Sequence, residues 1–242
     1  MNKVYIVPDV HGRRFWENAL TFLRDNPNDL VIFLGDYTDP YPGEGITDKD
    51  AYFNFLSIIE FKNNVVLLIG NHELHYIDKS FRCQRYSKEY YHNYHRMLTD
   101  DKDLFQICKK INSKYVFTHA GILKGWYDKY RCENIYAIDE QLNDFFLRDK
   151  VPFGDICNWY NWGKIHCEYS SPLWADIREH VSEELSYADS KNTIFRKCSG
   201  YVQVFGHTQL GTKKLLRYND KICLDTKSVH LLDLTTGKFD DE

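Results

Sequence analysis

The 242-residue chain has no apolar run that approaches the length of a membrane span. Its first residues, MNKVYIVPDV, pass straight into a strand pattern and lack the long apolar stretch of a secretion signal. A soluble, non-secreted, cytoplasmic protein is therefore expected, with no membrane partner. No CxxC pair occurs among the seven cysteines, Cys83, Cys108, Cys132, Cys157, Cys167, Cys198 and Cys223. Neither a zinc ribbon nor a thioredoxin-like redox pair is indicated, and reduced thiols are the plain reading. Basic charge is not in excess either: 31 Lys and Arg against 35 Asp and Glu leave a net charge of −4. That balance gives no general attraction to nucleic acid or to an anionic membrane, so nucleic acid is not an expected partner. There is no internal repeat and no low-complexity tract. Hydrophobic residues at 43% and charged residues at 27% give the balance of a folded chain. The length suffices for a substantial core, and residues 1–242 read as a single domain.

Five short apolar runs each end in a polar junction. Val4 to Val7 leads into Pro8-Asp9-Val10-His11-Gly12, and Leu30 to Leu34 into Gly35-Asp36-Tyr37-Thr38-Asp39. Val65 to Ile69 leads into Gly70-Asn71-His72-Glu73, Tyr115 to Phe117 into Thr118-His119-Ala120-Gly121, and Tyr201 to Phe205 into Gly206-His207-Thr208. Continuous apolar runs of this length suit strands buried on both faces. Between the first three runs, Arg13 to Arg24 and Asp50 to Phe61 carry apolar residues at helical spacings of three and four. Alternating strands and helices predict a layered α/β fold. Lys221 to Leu224 and Ser228 to Leu234 read as two strands with little between them, which predicts antiparallel pairing. Asp78 to Asp103 reads as helical. Residues 127–199, rich in Trp, Tyr and Asn, read as an insertion of helices and loops forming one wall of a cleft. Its aromatic stretch from Trp126 to Trp174 is more simply core than a partner-binding face.

In open α/β sheets, ligands bind beyond the carboxyl ends of the strands, where the five junctions sit. Together they supply Asp9, His11, Asp36, Asp39, Asn71, His72, His119 and His207. Carboxylates, imidazoles and an amide oxygen suit Mn, Fe, Zn or a similar divalent ion. One carboxylate can bridge two such ions about 3.5–4 Å apart. Taken singly, each block has a plainer explanation. A D-x-H triplet after a strand is usually a turn, and Gly-Asp is ordinary turn chemistry. Asn71 suits a helix N-cap, and a lone histidine is most often a buried core residue. Packing and capping do not demand metal-type ligands at five strand ends, so together the blocks point to a metal site.

These blocks resemble the calcineurin-like metallophosphoesterase superfamily, whose signature runs D-x-H, G-D-x-x-D, G-N-H-[DE], a lone His and then G-H. Within it they are most similar to the phosphoprotein phosphatase and diadenosine-tetraphosphatase branch. The resemblance covers Val4 to about Gly121 and Tyr201 to about Asp233. Ser171-Pro172-Leu173-Trp174-Ala175-Asp176 and Leu224-Asp225-Thr226 also look like segments of that branch. It implies an α-β-β-α sandwich of mixed sheets flanked by helices. It implies two divalent ions, manganese first, with Fe, Zn, Ni or Mg as alternatives. Asp9 and His11 would hold the first metal, Asp36 would bridge, and Asn71, His119 and His207 would hold the second. His72 would give a proton to the leaving oxygen, with Asp39 orienting its ring. The implied reaction is attack of a metal-bridging hydroxide on a phosphomonoester, in a phosphoprotein or a small phosphorylated molecule. The alternatives are a dinucleoside-polyphosphate or phosphodiester hydrolase and, from another class, a non-catalytic scaffold of the same fold.

Two departures from the family pattern matter. Relatives outside this branch often carry G-H-x-H, whereas here Gln209 follows Gly206-His207-Thr208, so one first-metal ligand is missing. In phosphoprotein phosphatases an Arg follows the second Asp of G-D-x-x-D and clamps a phosphate oxygen; here Pro40 stands in its place. Proline cannot make the charge-assisted fork of a guanidinium. Arg13 and Arg178 are the expected substitutes for binding substrate, with Arg14, Arg82 and Arg85 as further candidates, although an exposed surface role is the plainer reading of each.

Overall fold

Successive side chains of a strand point to opposite faces, so a run that is apolar throughout must be covered on both. The computed structural model, which describes residues 2–61, 64–81, 84–130, 135–149, 153–157, 166–188 and 201–240, meets that demand with two face-to-face sheets. In β1 (Lys3–Val7), Val4 and Ile6 enter the apolar layer between the sheets, while Tyr5 and Val7 enter a second cluster on the other face. The same division holds in β2 (Leu30–Phe33) and β3 (Val65–Leu68). There Ile32, Val66 and Leu68 face the inter-sheet layer, and Val31, Phe33 and Leu67 face outward. On the outer side, α1 (Glu17–Asp25) buries Ala19, and α2 (Asp48–Ile59) buries Phe55 and Ile58.

The first sheet runs β13-β12-β1-β2-β3-β4, completed by β4 (Phe105–Gln106), β12 (His230–Asp233) and β13 (Lys238–Phe239). β1, β2, β3 and β4 are parallel, and β12 pairs antiparallel with β1, Lys3 opposite Asp233. The second sheet runs β10-β11-β9-β6-β5. Its strands are β5 (Cys108–Ile111), β6 (Tyr115–Thr118), β9 (Val202–Phe205), β10 (Leu216–Tyr218) and β11 (Lys221–Cys223). Phe117, Val204 and Ile222 from this sheet meet Ile6, Ile32 and Leu68 of the first. Between β6 and β9 come α5 (Lys124–Lys129), α6 (Ile138–Leu147), a small parallel pair β7 (Ile156–Cys157) and β8 (His166–Cys167), and α7 (Ile177–Ala188). The architecture is a mixed α/β sandwich flanked by helices. Among the described residues no helix is long and apolar enough to cross a membrane.

Several boundaries differ from the sequence expectation. The first helix begins at Glu17, not Arg13, because residues 10–16 turn instead. Arg13 N–H donates to Val10 O at 2.9 Å, and Trp16 Nε1 donates to Asn54 Oδ1 at 3.0 Å, fastening the turn to α2. The second helix begins two residues early, at Asp48. Thr47 and Asp50 form a reciprocal capping box there, Asp50 N to Thr47 Oγ1 3.1 Å and Thr47 N to Asp50 Oδ2 3.0 Å. The helix expected over Asp78 to Asp103 is confined to α4 (Tyr91–Asp100); the described residues before it form turns and loop. The two late strands do not pair with each other. β11 lies parallel to β9 in the second sheet and β12 antiparallel to β1 in the first. The short connection crosses between sheets because both β9 and β1 offered an open edge, and an unpaired edge strand leaves backbone groups unsatisfied. Of the aromatic stretch, Trp126, Phe146 and Phe153 are buried core, as expected. Residues 131–134, 158–165 and 189–200, together with Arg82 and the cysteines Cys83, Cys132 and Cys198, lie outside the described residues.

One buried carboxylate ties the β2 junction to the helix that follows β3. α3 (Asn71–Ile77) is capped by Gly70, with Asn71 as its first residue and not its cap. Glu73 Oε2 accepts the N–H groups of Gly70 and Asp36, both at 2.9 Å. Its Oε1 accepts those of Tyr37 at 2.8 Å and Thr38 at 3.2 Å, and the Thr38 hydroxyl at 3.1 Å. Burial pushes the Glu73 carboxyl up to about 7, but five donors aimed at two oxygens favour the ionised form. Glu73→Gln places an amide N–H₂ against backbone donors, and is expected to destabilise the fold by about 2–4 kcal/mol in urea unfolding. A change below about 0.5 kcal/mol, the size of a surface substitution, would contradict this role.

Candidate metal centre

The carboxyl ends of β1, β2 and β3 in one sheet and of β6 and β9 in the other meet at one rim of the sandwich. Every junction picked out in the sequence opens there. Four of the eight residues take left-handed backbone: His11 at φ 45°, Asp36 at 52°, Asp39 at 57° and His207 at 62°. This conformation is uncommon outside glycine and costs of order 1–2 kcal/mol per residue, so its clustering points to a site whose surroundings enforce it. The glycines beside them serve a different need. A Cβ on Gly70 would overlap the Asp36 carboxylate, and one on Gly206 would overlap that of Asp9.

Three groups of potential ligands have their donor atoms within 4.8 Å of one another: His11, Asp36 and His72; Asp36, His119 and His207; and Asp39, His72 and His75. Asn71 joins the second group, its Oδ1 being 2.9 Å from His119 Nε2 and 3.1 Å from His207 Nδ1. Asp9 is buried beside them and accepts the His207 backbone N–H at 3.0 Å through Oδ1. Its carboxylate is not part of any of the three groups. Thr208, where other relatives' pattern continues toward a second His, instead accepts the Ile177 N–H at 3.2 Å, and Gln209 is exposed.

The hydrogen bonds behind the ligands fix where the lone pairs point. His11 Nδ1 lies 2.9 Å from Thr38 O, and His119 Nδ1 lies 2.8 Å from Leu34 O. A carbonyl only accepts, so each Nδ1 carries the proton and each Nε2 of a neutral ring presents a lone pair. Burial holds both imidazoles well below their usual range and takes His207 down to about 4, so the rings are neutral. His11 Nε2 therefore faces Asp36 Oδ2 at 3.4 Å. His119 Nε2 faces Asp36 Oδ1 at 3.6 Å and Asn71 Oδ1 at 2.9 Å. Burial also pushes the Asp9 and Asp36 carboxyls well up, Asp9 further through Asp225, and Asp36 further through Asp9 and Glu73. Acceptors converging on acceptors, each ring backed by a carbonyl, is the arrangement that fits divalent cations.

Beside this set lies a second constellation. His72 Nδ1 is 2.7 Å and His75 Nε2 is 2.9 Å from Asp39 Oδ2, while Tyr76 donates its hydroxyl to Asp39 Oδ1 at 2.5 Å. Burial alone would raise the Asp39 carboxyl, but the hydrogen bonds from His72 and His75 outweigh it and hold the group below its usual range. The other face of His72 meets Arg85, Nη2 to Nε2 3.0 Å. A guanidinium cannot accept, so Nε2 holds a lone pair and the His72 proton sits on Nδ1, toward Asp39. His75, Tyr76 and Asp225 escaped the sequence reading as site residues. His75 and Tyr76 were detectable in principle, since they stand three and four positions after His72 and share its helix face.

The model of the calcineurin-like phosphoesterases matches residues 2–210. The chain belongs to that family. Among solved structures, a variant of the cold-active protein tyrosine phosphatase superposes with a TM-score of 0.55 at 20% identity, over 96% of this chain and 75% of that one. The cold-active protein-tyrosine phosphatase of the psychrophile Shewanella sp. gives 0.52 at 17% identity, over 99% and 80%. These likenesses show the fold this calcineurin-like phosphoesterase shares with them. Partial matches reach polyamine aminopropyltransferases of Clostridium beijerinckii, 30% identical over 76 residues, and Clostridium botulinum, 29% identical over 101 residues. The chain covers 26% and 30% of the lengths of those relatives and 31% and 41% of its own length is matched.

The arginines expected to bind substrate are placed as follows. Arg13 is engaged by Glu44, Nε to Oε2 2.7 Å and Nη2 to Oε1 2.9 Å, and this pairing draws the Glu44 carboxyl down to about 2. Arg178 is 69% exposed and forks onto Asp176, 2.7 and 3.0 Å. Arg14 pairs with Glu17 at the surface. Arg13 Nη1 also reaches the Asp9 carbonyl at 3.4 Å, and Arg85 touches His72. If the converging lone pairs hold cations, adding Mn(II) to chelator-treated protein at about 100 times its dissociation constant should stabilise it by about 2.7 kcal/mol. The melting temperature then rises by roughly 5–10 °C. His119→Ala should lose most of that rise, and an equal rise in the variant would contradict the assignment.

Proposed function

We propose that this calcineurin-like phosphoesterase is a phosphatase hydrolysing phosphomonoesters, on a phosphoprotein or a small phosphorylated molecule, with two divalent ions. The observation that carries the reading is Asp36, whose two oxygens face separate ligand groups, Oδ2 toward His11 and Oδ1 toward His119. Asp9, His11 and Asp36 would hold one ion; Asp36, Asn71, His119 and His207 would hold the other. Manganese suits this oxygen-rich and imidazole-bearing set, and Fe, Zn, Ni or Mg are the alternatives. Divalent ions bound there supply acidity for a water nucleophile and offset charge on the phosphoryl oxygens.

The chain's own residues do the rest. Asp39 holds the His72 ring through Nδ1, so Nε2, which meets Arg85 here, is the nitrogen that would take up a proton and pass it to a leaving oxygen. His75 and Tyr76 hold Asp39 in turn, which leaves the ring no freedom to swing away. The Ser171–Asp176 stretch closes the other side. Pro172 O accepts the Ala120 N–H at 2.8 Å, and the Trp174 ring lies 6.0 Å from that of His207. This supports reading residues 127–199 as one wall of the cleft within a single domain over 1–242. A scaffold without chemistry would need neither the strained junctions nor the Asp39–His72 pair. The buried free thiols Cys108, Cys157 and Cys223 agree with a reducing, cytoplasmic setting.

Assays on para-nitrophenyl phosphate, bis-para-nitrophenyl phosphate and diadenosine tetraphosphate with Mn(II) supplied test the reading. The monoester is expected to be the preferred substrate. Asp36→Asn is expected to lower its kcat/KM by about 100-fold or more, corresponding to roughly 2.7 kcal/mol of transition-state stabilisation. Turnover of the diester or the dinucleotide alone, or an Asp36→Asn variant as active as wild type, would sink it.

A further inference from the structure

Among the described residues Arg13, Arg14 and Arg178 are each paired with a carboxylate, whereas Arg85 is not. Among the described residues it makes no ion pair; Nη2 meets His72 Nε2, and Nη1 is buried without a hydrogen-bond partner. A buried donor left unsatisfied costs about 1–3 kcal/mol, more when charged, so its retention calls for an explanation. The guanidinium carbon also lies over the Tyr41 ring, 3.6 Å from its centroid, and the Tyr41 and His11 rings meet edge to face at 4.8 Å. That cation–π contact holds the guanidinium against the ring and leaves Nη1 without a hydrogen bond.

The backbone is held with equal firmness. Arg85 takes φ 67°, a left-handed conformation that an arginine adopts only under constraint. The next two residues supply that constraint. Tyr86 stacks on Tyr76 at 5.4 Å with the rings 15° apart, and Ser87 N–H donates to the Tyr76 hydroxyl at 2.9 Å. That hydroxyl is the one bonded to Asp39. The segment carrying Arg85 is thus riveted to the residues that orient His72. Arg13 and Lys227 also flank Tyr41, at 5.0 and 5.7 Å, but share Glu44 as counter-ion. Among the described residues Arg85 is the rim arginine without a carboxylate partner.

We propose that Arg85, shelved on Tyr41, grips a peripheral oxygen of the substrate's phosphoryl group and makes the site favour a terminal monoester over a diester. It takes over, from a loop after α3, the anion contact that Pro40 cannot make. The monoester dianion offers charged oxygens to the guanidinium, in which Nη1 is the nitrogen without a partner. A diester carries a single charge, and two of its oxygens are alkylated and poor acceptors, so it gains less from the contact. The proposal rests on the hydrolytic reading above, and its test separates the two.

Isothermal titration of inorganic phosphate into manganese-supplied protein reads the grip without turnover. Removing one charge-assisted fork is expected to weaken phosphate binding by about 10- to 100-fold in Arg85→Ala, with Arg85→Lys in between. In kinetics, KM for para-nitrophenyl phosphate should rise, while kcat/KM for the bis ester changes by less than about 3-fold. The manganese-induced rise in melting temperature, retained in both variants, reports an intact fold. Weakened phosphate binding in protein that hydrolyses neither ester would support Arg85 and overturn the hydrolytic reading. Hydrolysis with phosphate binding unchanged in Arg85→Ala would do the reverse. Wild-type protein that binds no phosphate, or an equal loss on both esters, overturns the proposal.

Discussion

The arrangement of the rim depends on one carboxylate that never faces the cavity. Glu73 gathers the backbone donors of Gly70, Asp36, Tyr37 and Thr38 and so locks the loop after β2 against the first turn of α3. Asp36 and Asp39 hang from one of these segments, Asn71 and His72 from the other. Their mutual distances are therefore set by backbone hydrogen bonds and do not depend on the side chains finding one another. A second tie, the His72 N–H to Asp36 Oδ1 at 2.9 Å, closes the same pair of segments from the cavity side. The left-handed conformations at Asp36 and Asp39 are affordable in this setting, because the bonds that enforce them each contribute about as much as the strain costs.

The second sheet enters through histidines. His119 at the end of β6 reaches across the sandwich to the Leu34 carbonyl at the end of β2, and His207 follows β9 with its backbone N–H on Asp9. Each link joins the two sheets where their strands finish. Ligands from far-apart parts of the chain thus converge because the apolar layer of Ile6, Ile32, Leu68, Phe117 and Val204 holds the strand ends in register. Desolvation keeps the imidazoles neutral, and neutral imidazoles backed by carbonyls present lone pairs inward. Metal affinity on this account is a product of burial and of core packing as much as of ligand identity.

Much of this was legible in the residues. A strand covered on both faces leaves a continuous apolar run, and a strand-end site leaves polar residues directly after it, so the five junctions could be read from order alone. The sheet assignment of the last strands could not. Lys221–Cys223 and His230–Asp233 look like a hairpin, and only the open edges of β9 and β1 decide that they part company. Arg85 was equally opaque. It lies in a stretch without periodicity, and its placement comes from Tyr41, distant in sequence, and from Tyr76 on the preceding helix. Among five candidate arginines, local sequence offered nothing to separate Arg85, beside His72, from Arg13 and Arg178, whose carboxylate partners were equally invisible. The start of the first helix moved by four residues where tertiary hydrogen bonds of Asn54 and Trp16 competed with helical ones, and that of the second by two where the local Thr47–Asp50 capping box set it.

The most direct measurement is anomalous diffraction at the manganese edge from crystals grown with Mn(II). The account predicts two peaks at the common rim, flanking Asp36, one beside His11 and the other among Asn71, His119 and His207. Peaks only elsewhere on the molecule, or ligand side chains turned away from a shared centre, would contradict it.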